Sequence, residues 1–303
     1  LLCIRNFMTF SSRAHLRRAE PVKIDPNNKS ICSYIWNSLC IRPQGRLAPC
    51  CIYSDQAPAL KVQDINRELE DAYNSPFYRE MRDNALQGKK NRGCEVCYFR
   101  DKEDTPSVRK RANHQWSEGF NSNHSPLSNL TFLEVFIGNL CNLKCLMCGP
   151  ELSSALAGDY VKLGWAEESL KTPVEHDYRE LLPKLKSLTK LKFVGGEPLL
   201  HKSHWELLAS IPADRAKNIS LEYATNCTVF PNEKMLDQWR RFAGLEIFLS
   251  IDGAGATNEY IRFPSRWNIV EKNALKFGEL LAKDRRNIFG INTVVSNLNI
   301  FEL

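Results

Sequence analysis

The chain, 303 residues long, predicts an α/β fold: parallel strands joined by crossover helices, preceded by a small cysteine-rich module. Three observations carry that prediction. Short apolar or alternating runs recur between stretches with helical periodicity, the order expected of a parallel sheet. Each run ends in a polar, glycine-bearing or cysteine-bearing turn. The eleven cysteines fall mainly into two sets, with a polar stretch between them. Parallel sheets bind ligands beyond the carboxyl ends of their strands, so those turns would share one face.

In chain order, residues 1–30 come first. Arg5, Arg13, Arg17 and Arg18, with Glu20 as the one acid among the first twenty, give them a transit-peptide flavour. Read-through from upstream of Met8 is the alternative, and the one adopted. Residues 31–108 form the cysteine-rich module, and 109–129, rich in Asn, Ser and His, a polar linker. The α/β core occupies 130–303. Its expected strands are 132–137, 191–194, 219–224, 245–251 and 287–295. Helices are expected at 233–241 and 266–283, the second with Trp267, Val270, Leu275 and Phe277 at periodic positions.

The strand ends hold the candidate chemistry. After the first comes CNLKCLMC, with Cys141, Cys145 and Cys148 spaced C-x3-C-x2-C. Three soft thiolates suit an iron–sulfur cluster or zinc, and a three-ligand set leaves a coordination position open for chemistry. After the second comes Gly195-Gly196-Glu197-Pro198, where two glycines would let the backbone approach a ligand closely. The third ends at Thr225-Asn226-Cys227 and the fourth at Ser250-Ile251-Asp252-Gly253. Asn, Ser and Asp also end strands for purely local reasons. Cys227 reads as a small packed residue or a reactive thiol, and Arg262 as an anion-reaching or a solvated charge.

In the amino-terminal module, Cys32, Cys50, Cys94 and Cys97 make a separated pair and a C-x2-C pair. Four thiolates can close around a metal centre, and spacing alone does not separate zinc from iron–sulfur. Residues 43–49 read as a hairpin turn. Cys51 is a packing residue, a spare ligand or a substrate-facing thiol, and Cys40 belongs in the core.

Together, the triplet and GGEP resemble the radical SAM superfamily. The order C-x(9–15)-G-x4-C, met here by Cys32, Gly45 and Cys50, followed by C-x2-C, is similar to the twitch domain, a short form of SPASM. CGPELSS from Cys148 and YIRFPSRW from Tyr260 also resemble twitch-domain radical SAM proteins. The resemblance runs from about residue 31 to the carboxyl end. It implies a partial (β/α) radical SAM barrel, here one strand short of six and so truncated. It implies a 4Fe-4S cluster on Cys141, Cys145 and Cys148 that binds S-adenosylmethionine (SAM). It assigns Gly195, Gly196, Glu197 and Pro198 to the SAM amino group, Asn226 to the ribose, and Ser250 and Asp252 to ribose or carboxylate. It implies an auxiliary 4Fe-4S cluster on Cys32, Cys50, Cys94 and Cys97.

The activity implied is reductive cleavage of SAM to a 5′-deoxyadenosyl radical that abstracts a substrate hydrogen. A peptide or protein side chain leads among substrates, ahead of a nucleoside or small metabolite, and a flavodoxin or ferredoxin would donate electrons. A noncatalytic iron–sulfur or zinc protein is the alternative. It leaves GGEP and the other strand ends without a shared purpose.

Composition bounds the remainder. A net charge of +6 decides among no anionic partners, and no run of eighteen apolar residues marks a membrane span. Lys89, Lys90, Arg92, Lys102, Arg109, Lys110 and Arg111 flank the Cys94–Cys97 pair without an aromatic platform, so a solvated face is read there and no nucleic-acid binding. Abundant cysteine without a secretory signal points to metal sites in a reducing, cytoplasmic setting.

Overall fold

Period-two patterning builds the sheet. Ser220–Thr225 buries every second side chain against the helices, as do Lys190–Val194 and Gly244–Ser250. The computed structural model describes residues 21–302, apart from 23, 24, 26, 55–59, 104, 116–119 and 122–129. Cys3 and the basic leader, 1–20, lie outside the described residues.

The amino-terminal part contains β1 (Pro21–Val22), α1 (Tyr34–Asn37), β2 (Ser38–Ile41), β3 (Arg46–Ala48), β4 (Leu60–Lys61), α2 (Ile65–Tyr73), α3 (Pro76–Leu86), α4 (Glu95–Lys102), α5 (Val108–Gln115) and β5 (Phe120–Asn121). There follow β6 (Phe132–Phe136), α6 (Ser154–Lys162), β7 (Lys190–Val194), α7 (Lys202–Ser210), α8 (Ala213–Ala216), β8 (Ser220–Thr225), α9 (Glu233–Trp239), β9 (Gly244–Ser250), α10 (Gly255–Ile261), α11 (Trp267–Ala282) and β10 (Ile288–Asn292). All five core strands form where the sequence places them.

Eight strands make one open sheet in the order β10-β9-β8-β7-β6-β2-β3-β4. From β10 to β2 every pairing is parallel, and β3 and β4 add as antiparallel strands. Six strands therefore run parallel, and the sixth is β2, contributed by the cysteine-rich part: Ser38–Ile41 pairs with 132–135. A second difference concerns 109–129. Part of this expected linker is α5, whose Arg109 is buried, paired with Asp101 at 2.6 Å and donating to the Ile31 carbonyl. A buried arginine needs such partners, and no helical period announced them.

One face of the sheet packs into the main core, with Leu39, Leu133, Leu191, Phe193, Leu221, Tyr223 and Ile247 fully buried beneath the helices. The other face carries a row of charges in register, Glu134, Lys192, Glu222 and Glu246 on adjacent strands, with Cys40 next to Glu134 at its end. No described helix is long and apolar enough to cross a membrane.

Candidate metal centres

Directly after β6 the chain leaves the sheet and makes the loop bearing Cys141, Cys145 and Cys148. Two serines of CGPELSS hold it. Ser153 Oγ donates to the Leu143 carbonyl at 2.6 Å and caps α6 by accepting from the Leu156 amide, and Ser154 Oγ accepts from the Cys141 amide. From the opposite side, the Lys144 and Leu146 amides donate to the carbonyls of Phe263 and Ile261. Cys145 is buried, whereas Cys141 and Cys148 are half-buried. The sulfurs of Cys145 and Cys148 interact directly, and that contact lowers the Cys148 thiol to about 7; the Arg262 charge acts in the same direction. Three thiols on one short loop, two of them half-buried, are a donor set suited to a cluster with an open position.

At the next strand end, the chain's own packing requires both glycines. Gly196 has φ +49°, and a Cβ there would lie 2.2 Å from the Leu140 carbonyl oxygen. At Gly195, with φ +95°, it would lie 2.2 Å from the Phe136 ring. The space is filled by the chain's own loop, one residue ahead of Cys141, and the Glu197 amide donates to Leu140 at 2.8 Å. Glu197 itself is fully buried. Its carboxylate accepts from Thr225 Oγ1 at 2.8 Å and from the Asn226 amide at 2.7 Å, so it ties the end of β7 to the end of β8. Burial pushes its carboxyl up to about 7 against the pull of these donors. Pro198 is buried at the start of a short 3-10 turn.

Asn226 lies over the cysteine loop. Its Nδ2 donates to Asn142 Oδ1 at 3.0 Å and sits 3.9 Å from Cys141 Sγ, while its Oδ1 accepts from the Thr228 amide and hydroxyl. Ser250 is half-buried at the end of β9. Asp252 differs from the expectation of direct ligand contact: it is fully buried and within 2.8 Å of Arg262 Nε. Arg262 is therefore no solvated surface charge. It is 8 % exposed, and its Nη1 lies 3.9 Å from Cys145 Sγ. Cys227 is a packed residue, its thiol donating to the Val270 carbonyl. Four strand ends thus meet around one loop, with Glu197 and Asp252 turned inward as braces.

The amino-terminal set shares one small cavity. Cys32, Cys50, Cys94 and Cys97 line about 20 Å³ of space with Ile52, Tyr53, Tyr98, Val108 and Arg109. Burial raises all four thiols, Cys32 to about 12, and the neighbouring sulfurs raise Cys32, Cys50 and Cys94 further. A bound cation would reverse that balance by stabilising thiolates. The four cysteines ring this space; among the described residues no three His, Cys, Asp or Glu converge closely enough to clasp a single ion. Cys51 is outside the lining and exposed, and the Gly45 count that selects Cys50 agrees with this placement.

Residues 32–98 match the family model SPASM, an iron–sulfur cluster-binding domain. The chain carries a SPASM domain. The domain covers all four cysteines that line the cavity, and its description names iron–sulfur rather than zinc. Among curated proteins, the chain is similar to the uncharacterized protein MJ0907 of Methanocaldococcus jannaschii, 28% identical over 166 residues, which is 54% of this chain and 52% of that protein. Among solved structures it is similar to Streptococcus suis SuiB bound to its precursor peptide SuiA, at 15% identity and TM-score 0.39, over 82% of this chain and 54% of that one. SuiB bound to S-adenosylmethionine aligns at 17% identity and TM-score 0.35, over 70% and 49%. The chain spans about half the length of each of these proteins.

Two features escaped sequence reasoning. One is the buried Arg262–Asp252 pair, separated in sequence by a helix. The other is the charged row. Lys192 pairs with Glu134 at 3.0 Å and Glu222 at 3.3 Å, and Lys190 with Glu222 at 2.6 Å and Glu246 at 2.8 Å. Burial works against every charge in it. At Lys190 and Lys192 the carboxylates outweigh burial and raise the ammonium pKa; at Glu222 the lysines lower the carboxyl, and at Glu246 burial prevails and raises it. One charge at the same register position of successive strands was the available signal.

Proposed function

We propose that this chain is the catalytic part of a radical SAM enzyme, carrying a 4Fe-4S cluster on Cys141, Cys145 and Cys148 and an auxiliary cluster in the SPASM domain. The observation that carries the reading is the meeting of the three-cysteine loop with the ends of β7, β8 and β9. A SAM-bound cluster supplies one-electron cleavage of SAM to methionine and a 5′-deoxyadenosyl radical, which takes a hydrogen atom from the substrate.

The chain's own residues bind, orient and brace. Cys141, Cys145 and Cys148 would hold the cluster, and a three-thiolate set would leave it a position for SAM. The half-buried backbone of Gly195-Gly196, near Pro198, would take the amino group through its own polar groups, while Asn226 and Ser250 would face the ribose and carboxylate. Glu197 keeps β7 and β8 in step by holding Thr225 and Asn226, and Asp252 holds Arg262. Cys32, Cys50, Cys94 and Cys97 would hold the auxiliary cluster for electron relay. A peptide or protein side chain is the substrate class we favour, because SPASM and twitch resemblance points there, with a flavodoxin-type or ferredoxin-type donor in the cytoplasm.

The test is direct. After anaerobic reconstitution, SAM and a strong reductant should yield 5′-deoxyadenosine. Replacing Cys141, Cys145 and Cys148 together by Ala should abolish it while the SPASM iron remains. Undiminished product in that variant would sink the proposal. A wild-type chain loaded with both clusters that never cleaves SAM would instead favour noncatalytic electron transfer.

A further inference from the structure

Arg262 is a cation placed inside the protein against a cysteine sulfur. Arginine is rarely buried without a partner that repays its lost hydration. The partner is Asp252, 2.8 Å from Nε, and Asp252 is itself fixed from several sides. Its Oδ1 accepts from the Val294 amide at 2.8 Å, its amide donates to Asn258 Oδ1, and its carbonyl accepts from Asn299 Nδ2. The backbone on either side of Arg262 is equally constrained: the Ile261 and Phe263 carbonyls accept from the amides of Leu146 and Lys144, which flank Cys145. The guanidinium and the Cys145 sulfur are thus registered to each other through two backbone contacts and one ion pair. Nη1 ends 3.9 Å from Sγ.

We infer that Arg262 is a positioning residue that sets the reduction potential of the cluster ligated by Cys145, with Asp252 aiming its guanidinium. The inference rests on the cluster reading proposed above. Donors and positive charge at a ligand sulfur stabilise the more negative, reduced cluster and raise its potential. Asp252 neutralises the pair as a whole, so the sulfur experiences a directed N–H rather than an unscreened charge.

Potentiometric titration of the full chain without SAM, followed by EPR, tests this. The signal to follow is the one missing from the Cys141/Cys145/Cys148 triple variant. Arg262→Gln should shift that midpoint to more negative potential, and Arg262→Lys, which keeps the charge but not the fork, should shift it less. An unmoved midpoint in Arg262→Gln at full iron loading would overturn the inference. So would a shift seen only with SAM present, which would place Arg262 on the ligand. Loss of that cluster from both variants would give Arg262 a purely structural role and also overturn it. A wild-type chain without iron at the triplet breaks the proposed function instead, and is recognised by iron analysis alone.

Discussion

The two cysteine centres solve opposite problems with the same ligand. In the SPASM domain four thiols from three separate segments, Cys97 buried and the other three half-buried, line one cavity together with aromatic and apolar side chains and Arg109. In the core three thiols come from one eight-residue loop, two of them half-buried, with Asn226 and Arg262 beside the sulfurs. The first arrangement joins distant parts of the chain, so metal there would add a cross-link to the region's own core of Ile35, Trp36, Tyr53 and Met81. The second is already held by Ser153, Ser154 and the 261–263 backbone, and needs no metal to keep its shape. Ligands drawn from distant segments go with stability, and ligands on one loop with a free coordination position.

The largest effect expected from this contrast is in thermal stability. Cys94→Ala should cost about 3–5 kcal/mol, the scale for removing one partner from a buried charged group. That corresponds to a fall in Tm of roughly 10 °C for a domain of this size. Cys148→Ala, in the pre-braced loop, should cost no more than about 1 kcal/mol. Calorimetry on both variants checks the comparison; equal losses would break it.

An intermediate effect is expected where the sheet meets the loop. Gly196→Val places a branched Cβ at φ +49° and against the Leu140 backbone, so the loop, rather than a ligand, must yield. Strain of this kind costs about 1–3 kcal/mol. Iron at the core triplet should fall while SPASM iron stays, because the displaced residue immediately precedes Cys141. Full iron at both centres, with only SAM binding weakened, would favour the view that these glycines make room for a ligand.

How much of this was legible in the sequence depends on how local each feature is. Strands β6 to β10 were readable because their alternation or apolar run is local, and their polar ends marked where the site would form. The four SPASM cysteines were readable from spacing. Strand β2 was not: SLCI is four residues long, and its partner β6 lies some ninety residues on, so nothing in its own pattern announces a parallel pairing. The sequence could not choose between the two readings of Arg262 for a related reason, since its burial depends on Asp252 across helix α10. The purpose of Gly196 was hidden because sequence shows that a Cβ is missing but not which neighbour excludes it.

The smallest effect concerns the adjacent pair Cys50 and Cys51. Cys50 lines the cavity, whereas Cys51 points toward the charged row, where Glu134, Lys192 and Glu222 act on its thiol. Cys51 is exposed and lies outside the cavity lining, so its sulfur is not among the four that face that space. Cys51→Ser exchanges one small neutral hydrogen-bonding group for another and removes no ligand. Stability should therefore change by less than about 0.5 kcal/mol, and iron content by nothing measurable. Cys50→Ser should lose the SPASM cluster. Iron analysis of the two single variants, each alongside the core triple variant to silence the other centre, makes the comparison clean. Iron lost with Cys51 and kept without Cys50 would move the ligand by one residue, out of this cavity and toward the sheet.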